Sequence, residues 1–401
     1  MSSTWSRAFV NRRLRWALPA GVAAAIAAAS LTSTAASSSA AEPTLPARTA
    51  AQLLADLEQA HTDGLSGTIV ETAKLGLPQL PDIGGAGDSS DLSLSNLVTG
   101  AHTMRVWYAG QQNQRLALLG QLSETDVIRH GTDLWSYSST TRKVTHTTLQ
   151  KADEPLPQPG GTGGVVGALT PQQAADKALA AIDPTTAVEV DRTARVAGRA
   201  AYQLLVTPKD SRSLIGSVRI ALDSKTSVPL RVQVFARGAN SPAIQVGFTD
   251  VSFNVPDASV FQFVPPAGST VVQGNPWSSN ENPNAKVMPP RIKGTAPNGS
   301  APGTAPVPGT APGTASAKAG SPTVLGKGWT AVAVVKEPAG ATNNPQPSMF
   351  DILNKISTPA SGGHLITSAL VSIFITADGT IYAGPVSATA IQQVATSGHG
   401  L

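Results

Sequence analysis

The 401-residue sequence contains no cysteine. That excludes a disulfide framework, thiolate metal sites, a cysteine nucleophile and a lipid-modified N-terminal cysteine. Charged residues are scarce at 13% and aromatics at 4%, while glycine and proline number 37 and 31. This mix is expected of a β-rich globular part joined to low-complexity segments. Catalytic constellations are missing too: there is no phosphate-cradling glycine loop, no H-E-x-x-H pair and no G-x-S-x-G elbow. The six histidines, His61, His102, His130, His146, His364 and His399, stand singly, without the spacing that metal ligands need. His130 and Asp133 have the chemistry of an acid/base pair, but at a strand–turn junction a turn hydrogen bond is the simpler reading. The expectation is a protein that is not an enzyme, with no cofactor and no metal.

What is present begins with an export signal over residues 1–41. Arg7, Arg12, Arg13 and Arg15 precede the uncharged run Trp16 to Leu31, and Ser39-Ala40-Ala41 before Glu42-Pro43 fits signal-peptidase cleavage. The pair Arg12-Arg13 suits twin-arginine export, and Arg15 in the following stretch suits Sec export. An extracytoplasmic protein, secreted or in the cell envelope, is expected by either route. The signal holds four arginines and no acid, so the rest of the chain carries 25 basic against 25 acidic residues. A formally neutral mature protein gives no reason to propose a nucleic-acid partner.

The chain then reads as one α+β domain over 42–266, a linker over 267–322 and a small α+β C-terminal module over 323–401. In the first domain, Thr49 to Gln52 is a capping-box start to a helix with Leu53, Leu54 and Leu57 on one face, stopped by Gly64. Strands are expected at Gly67–Thr72, Thr103–Tyr108, Arg115–Leu119 and Glu124–His130, then a hairpin turning at Ser138–Arg142. Pro/Gly-rich loops are expected at Gly76–Asp91 and Pro155–Gly167. Thr170, Pro171 and Gln173 mark the start of a second helix with Ala175, Ala178, Leu179 and Ile182 on its apolar stripe.

The segment Val188 to Pro266 organises the rest. Val218, Ile220 and Leu222, then Leu230, Val232 and Val234, then Ile244, Val246 and Phe248 recur at every second position, with Arg219, Arg231 and Gln245 between them. That is the period of half-buried antiparallel strands, so the apolar set should share one side of a curved sheet and the polar set the other. The cover over that apolar face is either protein or ligand. Trp107, Tyr108, Trp135 and Tyr137 pose the same question, since aromatics on a sheet fill a core or line a pocket.

Beyond Ala267 periodicity is lost, and Gly294-Thr295-Ala296-Pro297 recurs at Gly303 to Pro306 and at Gly309 to Pro312. Such a segment offers too little apolar surface to offset chain entropy, and it is expected to be a solvated linker. The C-terminal module has strand patterns at Gly328–Val335, Leu370–Ile375 and Ile381–Ala383. It also has a short helix capped by Ser348 and a last helix around Ile391 and Val394.

The order of these parts resembles the LolA/RseB-like superfamily. The similar features are Gly131-x-x-Leu134-Trp135-x-Tyr137, Val196 to Leu204, Val228-Pro229-Leu230-Arg231-Val232-Gln233-Val234, and Thr249 to Phe253 followed by Phe261-Gln262-Phe263-Val264-Pro265-Pro266. The C-terminal module resembles the small second domain of RseB/MucB-type members in Gly328 to Val334 and Asp378 to Val386, a domain that simple LolA carriers lack. The resemblance implies a half-open antiparallel β-barrel with a helical lid over an apolar cavity, plus the C-terminal module. On this reading the cavity is lined by Trp107, Trp135, Val218, Ile220, Leu222, Leu230, Val232, Val234, Ile244, Val246 and Phe248, with Leu53, Leu54, Leu57, Leu179 and Ile182 in the lid. The function expected first is an exported carrier or chaperone holding a lipid or a lipoprotein acyl chain, since burial gains about 0.8 kcal/mol per methylene and needs no charged anchor. The alternative is an RseB/MucB-like envelope-stress regulator binding a membrane protein such as an anti-sigma factor.

Overall fold

The computed structural model describes residues 42–76, 99–120, 122–149, 170–180, 182, 184–274, 323–336, 353 and 356–401. The export signal, most of both Pro/Gly-rich loops, the linker from residue 275 and the start of the helix at Ser348 lie outside the described residues.

Two antiparallel runs make up the larger sheet. The first comprises β1 (Leu65–Lys74), β2 (Thr99–Tyr108), β3 (Asn113–Leu119), β4 (Glu124–His130), β5 (Asp133–Ser138) and β6 (Lys143–Thr148). The second comprises β7 (Thr186–Val190), β8 (Ala194–Val196), β9 (Arg199–Pro208), β10 (Ile215–Asp223), β11 (Pro229–Ala236) and β12 (Pro242–Ser252). β1 pairs with β12 and so joins the two runs, and β13 (Thr270–Gln273) adds in parallel to β6. The order is β13-β6-β5-β4-β3-β2-β1-β12-β11-β10-β9-β7, with β8 on β9, and the sheet is not closed. β13 falls where composition reads as linker: Thr270, Val271 and Val272, all β-branched, pair with Lys143, Val144 and Thr145 and cover an otherwise open edge.

Local chemistry explains the connections. Between β8 and β9, Val196 pairs with Arg199 across Ala197 and Gly198, both with positive φ (49° and 75°). That is the geometry of a two-residue I′ hairpin, and glycine enters it without cost. Helix α1 (Ala50–Glu58) starts on the expected capping box, Thr49 and Gln52 exchanging side-chain and backbone bonds, and it ends at Gln59, a turn before Gly64. Helix α2 (Pro171–Ala180) has the same box, with Thr170 N–H donating to Gln173 Oε1 at 2.9 Å and Gln173 N–H to Thr170 Oγ1 at 3.3 Å.

The C-terminal residues form a second sheet in the order β14-β15-β19-β18-β17-β16. Its strands are β14 (Thr323–Leu325), β15 (Val332–Lys336), β16 (Thr358–Ala360), β17 (Gly363–Thr367), β18 (Ser372–Thr376) and β19 (Thr380–Gly384). Helix α3 (Ala388–Ser397), capped by Ser387 and ended by a left-handed Gly398, packs Ile391 and Val394 with Val332, Phe374 and Val386. Gly328–Thr330, expected as strand, is a 3-10 turn. This turn sets Trp329 into the core of the larger sheet, where its Nε1–H donates to Thr186 Oγ1 at 2.8 Å. Leu214 N–H donates to Pro385 O at 2.7 Å, Ser213 forms a β-bridge with Val386, and Ala369 N–H donates to Leu75 O at 2.8 Å. Residues Pro43–Leu401 are one contact unit.

Candidate functional site

Register decides which side chains share a face, because residues directly opposite each other in adjacent antiparallel strands point the same way. Val218 faces Val234, which faces Ile244; Ile220 faces Val232, which faces Val246; and Ile69 of β1 continues the surface beside Phe248. Leu222 and Leu230 complete it at the β10–β11 end. All nine apolar positions of the central strands therefore lie on one side, and Arg219, Arg231 and Gln245 lie on the other.

That apolar side is packed. Ile220 and Leu230 are 0% exposed, and Val218, Leu222, Val232, Val246 and Phe248 are also buried. Val234 is partly buried against the same core, and Ile244 is half-buried. The cover comes from α1 and α2: Leu53 and Leu57 are buried in this core with Ala175 and Ala178, and Leu54, Leu179 and Ile182 pack at its margin. The five helical residues expected as lid thus share one core with eight of the nine sheet residues expected as lining, Ile244 standing outside it.

The two tryptophans lie on the other face. Trp107 alternates with the inward Met104 and Val106, and the guanidinium carbons of Arg105 and Arg115 stand 5.1 and 5.2 Å from its ring centre. Trp135 shares that face through the register Trp107–Arg115–Ile128–Trp135–His146. Its ring stacks on His146 at 3.9 Å and leans on Phe263 at 5.5 Å, with Tyr137 on the far side of Phe263. The 3-10 turn Ala258–Phe261 crosses this face and buries Phe261 against the same strands. Asp133 is bonded to His146 Nε2 at 2.8 Å, so its imidazole partner is not the His130 that sequence proximity suggested. Phe263 and His146 join this cluster from elements far apart in the chain, and alternation within one strand could not reveal them.

Where α1 and α2 do not reach, the inner face changes character. Val106, Leu116 and Val127 lie side by side across β2, β3 and β4, each half-buried. Glu71 (6% exposed) and Arg129 (0%) also face inward, and Arg129 Nε–H donates to Gly131 O at 3.0 Å. Two buried charges on the apolar side were not legible from alternation, since each occupies a normal inward position. At the opposite end, Asp223 (1% exposed) accepts two bonds from Arg199 and further bonds from the Lys225 N–H and from the Thr226 N–H and hydroxyl. Burial pushes its carboxyl upward, but the Arg199 and Thr226 bonds outweigh that and hold it below the usual carboxylate range. Among the described residues, no group of three or more His, Cys, Asp or Glu is placed to hold a metal, and no helix is long and apolar enough to cross a membrane.

Residues 97–267 match the family model described as the MucB/RseB N-terminal domain. A search of curated proteins gives no match. Among solved structures, the Pseudomonas aeruginosa MucA/MucB complex aligns over 86% of this chain and 96% of its own at 15% identity and a TM-score of 0.39. An uncharacterised conserved protein from Thermus thermophilus aligns over 56% and 99% at 10% identity and 0.30. A LolA superfamily protein from Nitrosomonas europaea aligns over 54% and 99% at 10% and 0.21. At scores this low the likenesses carry no argument of their own. The family match supports an extracytoplasmic protein of binding or regulatory type. Residues 97–267 of this chain are thus similar to the MucB/RseB N-terminal domain.

Proposed function

We propose that this chain is an exported, non-catalytic regulator of the MucB/RseB kind, binding the extracytoplasmic segment of a membrane protein of anti-sigma type. The observation that carries this reading is the second sheet fastened to the first by Trp329, Leu214 and Ala369. A carrier needs one lobe that opens for its cargo; a two-lobed protein with a bonded junction has a joint whose opening a partner can set. The half-open barrel implied by the resemblance then serves as the sensing lobe, and α1 and α2 as its lid.

A second reading keeps the acyl ligand, favoured by the half-buried row Val106, Leu116 and Val127. An acyl chain laid along that row extends the apolar surface of the packed core without displacing α1 or α2. One experiment separates the two readings: purification of the native exported protein from solubilised envelopes, with mass spectrometry of bound proteins and lipids. The regulator reading expects one stoichiometric membrane protein whose purified extracytoplasmic segment rebinds. Lipoproteins or lipids alone, with no such partner, would overturn it in favour of a carrier.

A further inference from the structure

The outer face of the central strands carries two arginines with too few counter-charges. Arg231, on β11, is half-buried, and among the described residues it has neither a hydrogen bond nor an ion pair. Burial and the neighbouring Arg219 both work against its charge and pull it below its usual range. Its stem lies over Gly247, where an added Cβ would come within 2.9 Å of Arg231 Cγ. Glycine there lets the side chain lie flat on the sheet instead of reaching into solvent. Arg219 lies on the next strand, one pair along, over the Phe235 ring at 4.8 Å. Its Nε stands 3.2 Å from Asp191 Oδ2, yet this buried atom makes no hydrogen bond of acceptable geometry. Glu189 shares the face but is exposed and separated from Arg219 by Leu205. Gln233 and Gln245 alongside are bonded to each other at 2.7 Å. A lone arginine on a sheet is ordinary; here two neighbouring arginines, one of them partly desolvated, share the single carboxylate of Asp191, which leaves the pair one anion short.

Next to Arg219 the sheet opens into a cleft of about 340 Å³, walled by Arg219, Ser217, Arg237 and Asn240 over Phe235. Arg237 is fixed in place, its guanidinium donating to Ser213 O at 2.8 Å and Asp210 O at 2.9 Å. The cleft is therefore lined by two arginines, a serine and an asparagine around a volume that accommodates a small oxyanion group. Guanidinium recognises such a group by parallel, charge-assisted hydrogen bonds.

We propose that this cleft is a binding site for a phosphate group, with Arg219 its principal ligand, Arg237 its fixed wall and Arg231 its supporting charge. Ser213, whose carbonyl Arg237 holds, is the residue that bridges to Val386 of the second sheet. A phosphate bound here thus sits one residue contact from the junction between the two sheets.

The test uses the full exported chain, titrated with inorganic phosphate by calorimetry at constant ionic strength, and with phosphatidylglycerol or phosphatidylcholine vesicles by flotation. Saturable one-to-one phosphate binding is expected, weakened about tenfold or more in Arg219→Gln by the loss of one charge-assisted contact, and less, but measurably, in Arg231→Gln, which removes a nearby charge outside the cleft wall. It should be unchanged in Arg195→Gln, a surface control. Arg231→Gln is expected to melt no lower than the parent, because it removes a repelled charge, so a failed fold does not confuse the result; a lower melting point with unchanged affinity would give Arg231 a structural role and overturn the proposal. Binding to phosphatidylglycerol vesicles alone, weakened in the same two variants, identifies a lipid headgroup as the source and supports the site. Non-saturable binding, or equal affinity in parent and both variants, overturns it.

Discussion

Replacing Trp329 by alanine tests whether the two sheets are held by a defined joint. The indole is 6% exposed, lies within the core of the larger sheet and makes one buried bond to Thr186. Truncating a buried tryptophan costs about 3 to 5 kcal/mol. Because the residue belongs to the second lobe but is buried in the first, that cost should fall on the joint. At 1.4 kcal/mol per tenfold, the separated population rises by about two to three and a half decades. Amide exchange reads this directly. The Leu214 and Ala369 amides donate across the joint to Pro385 and Leu75, so in Trp329→Ala they should exchange faster by a similar factor. The Val232 amide, in the middle of the first core, should keep its protection. Trp329→Phe keeps most of the buried area and loses one hydrogen bond, so its effect should stay near 1 kcal/mol. Unchanged exchange at Leu214 and Ala369, or an equal acceleration at Val232, would refute the joint: the first by showing that Trp329 holds nothing, the second by showing that the lobes unfold as one.

The Asp223–Arg199 pair gives a pH prediction. A carboxyl whose folded pKa is depressed contributes stability that is complete above the unfolded value of about 3.9 and is lost as pH falls through the folded pKa. The melting temperature should therefore drop below about pH 4 in the parent and less steeply in Asp223→Asn, which should itself lose up to about 3 to 5 kcal/mol at neutral pH, less whatever solvent supplies to the partly exposed Arg199. Val232→Phe should overpack the face under α2 and destabilise by about 1 to 3 kcal/mol; a variant of unchanged stability that lost copurified lipid would instead reveal a cavity there. Val127→Glu, at the end of the β2–β4 row that does not pack against the α1–α2 core, should leave that core folded and abolish any acyl binding along the row, measured as lipid recovered per protein; undiminished lipid would remove that surface from consideration. Phe263→Ala should expose the Trp135–His146 stack, read as a red shift of tryptophan emission, and cost less than the about 3 to 5 kcal/mol of a fully buried phenylalanine, since Phe263 is only half-buried.

Strand alternation carried the central sheet from sequence alone. Val218 to Phe248 face one way because β10, β11 and β12 pair by short hairpins whose register preserves every second position. The helix starts at Thr49 and Thr170 were legible for an equally local reason, reciprocal capping within four residues. What alternation could not supply is the identity of the cover. Whether Val232 meets a helix or a ligand depends on where α1 and α2, more than fifty residues upstream, come to rest. The tryptophans failed for a related reason. Trp107 and Trp135 look like core or pocket residues by type, yet parity with Met104 and Leu134 puts them on the opposite face, where arginines and the Phe261–Phe263 segment close over them. Edge and joint elements were the least visible: β13, β14, β16 and β17 are three to five residues long, too short for a period to show.

The two faces of the sheet now divide the functional question in a way neither composition nor alternation anticipated. The inner face over β10–β12 is committed to α1 and α2, so a ligand that binds there must displace helical side chains such as Leu53, Leu57, Ala175 and Ala178. A ligand displaces less at the half-buried, apolar inner row of β2–β4, where Val106 and Leu116 pack only at the margin of that core, and at the cationic outer cleft by Arg219. An acylated or phosphorylated envelope molecule carries both chemistries, but the two surfaces lie on opposite sides of one sheet, and a single small molecule cannot span them. Each must therefore act on its own, and any coupling between them would run through the joint. The outer cleft touches the Ser213–Val386 bridge through Arg237, while the inner face holds Trp329. Both thus bear on the joint between the lobes, so a ligand on either face should change the exchange rate of the Leu214 amide. A ligand that binds tightly at one of these surfaces and leaves that amide untouched would break the link between binding and regulation.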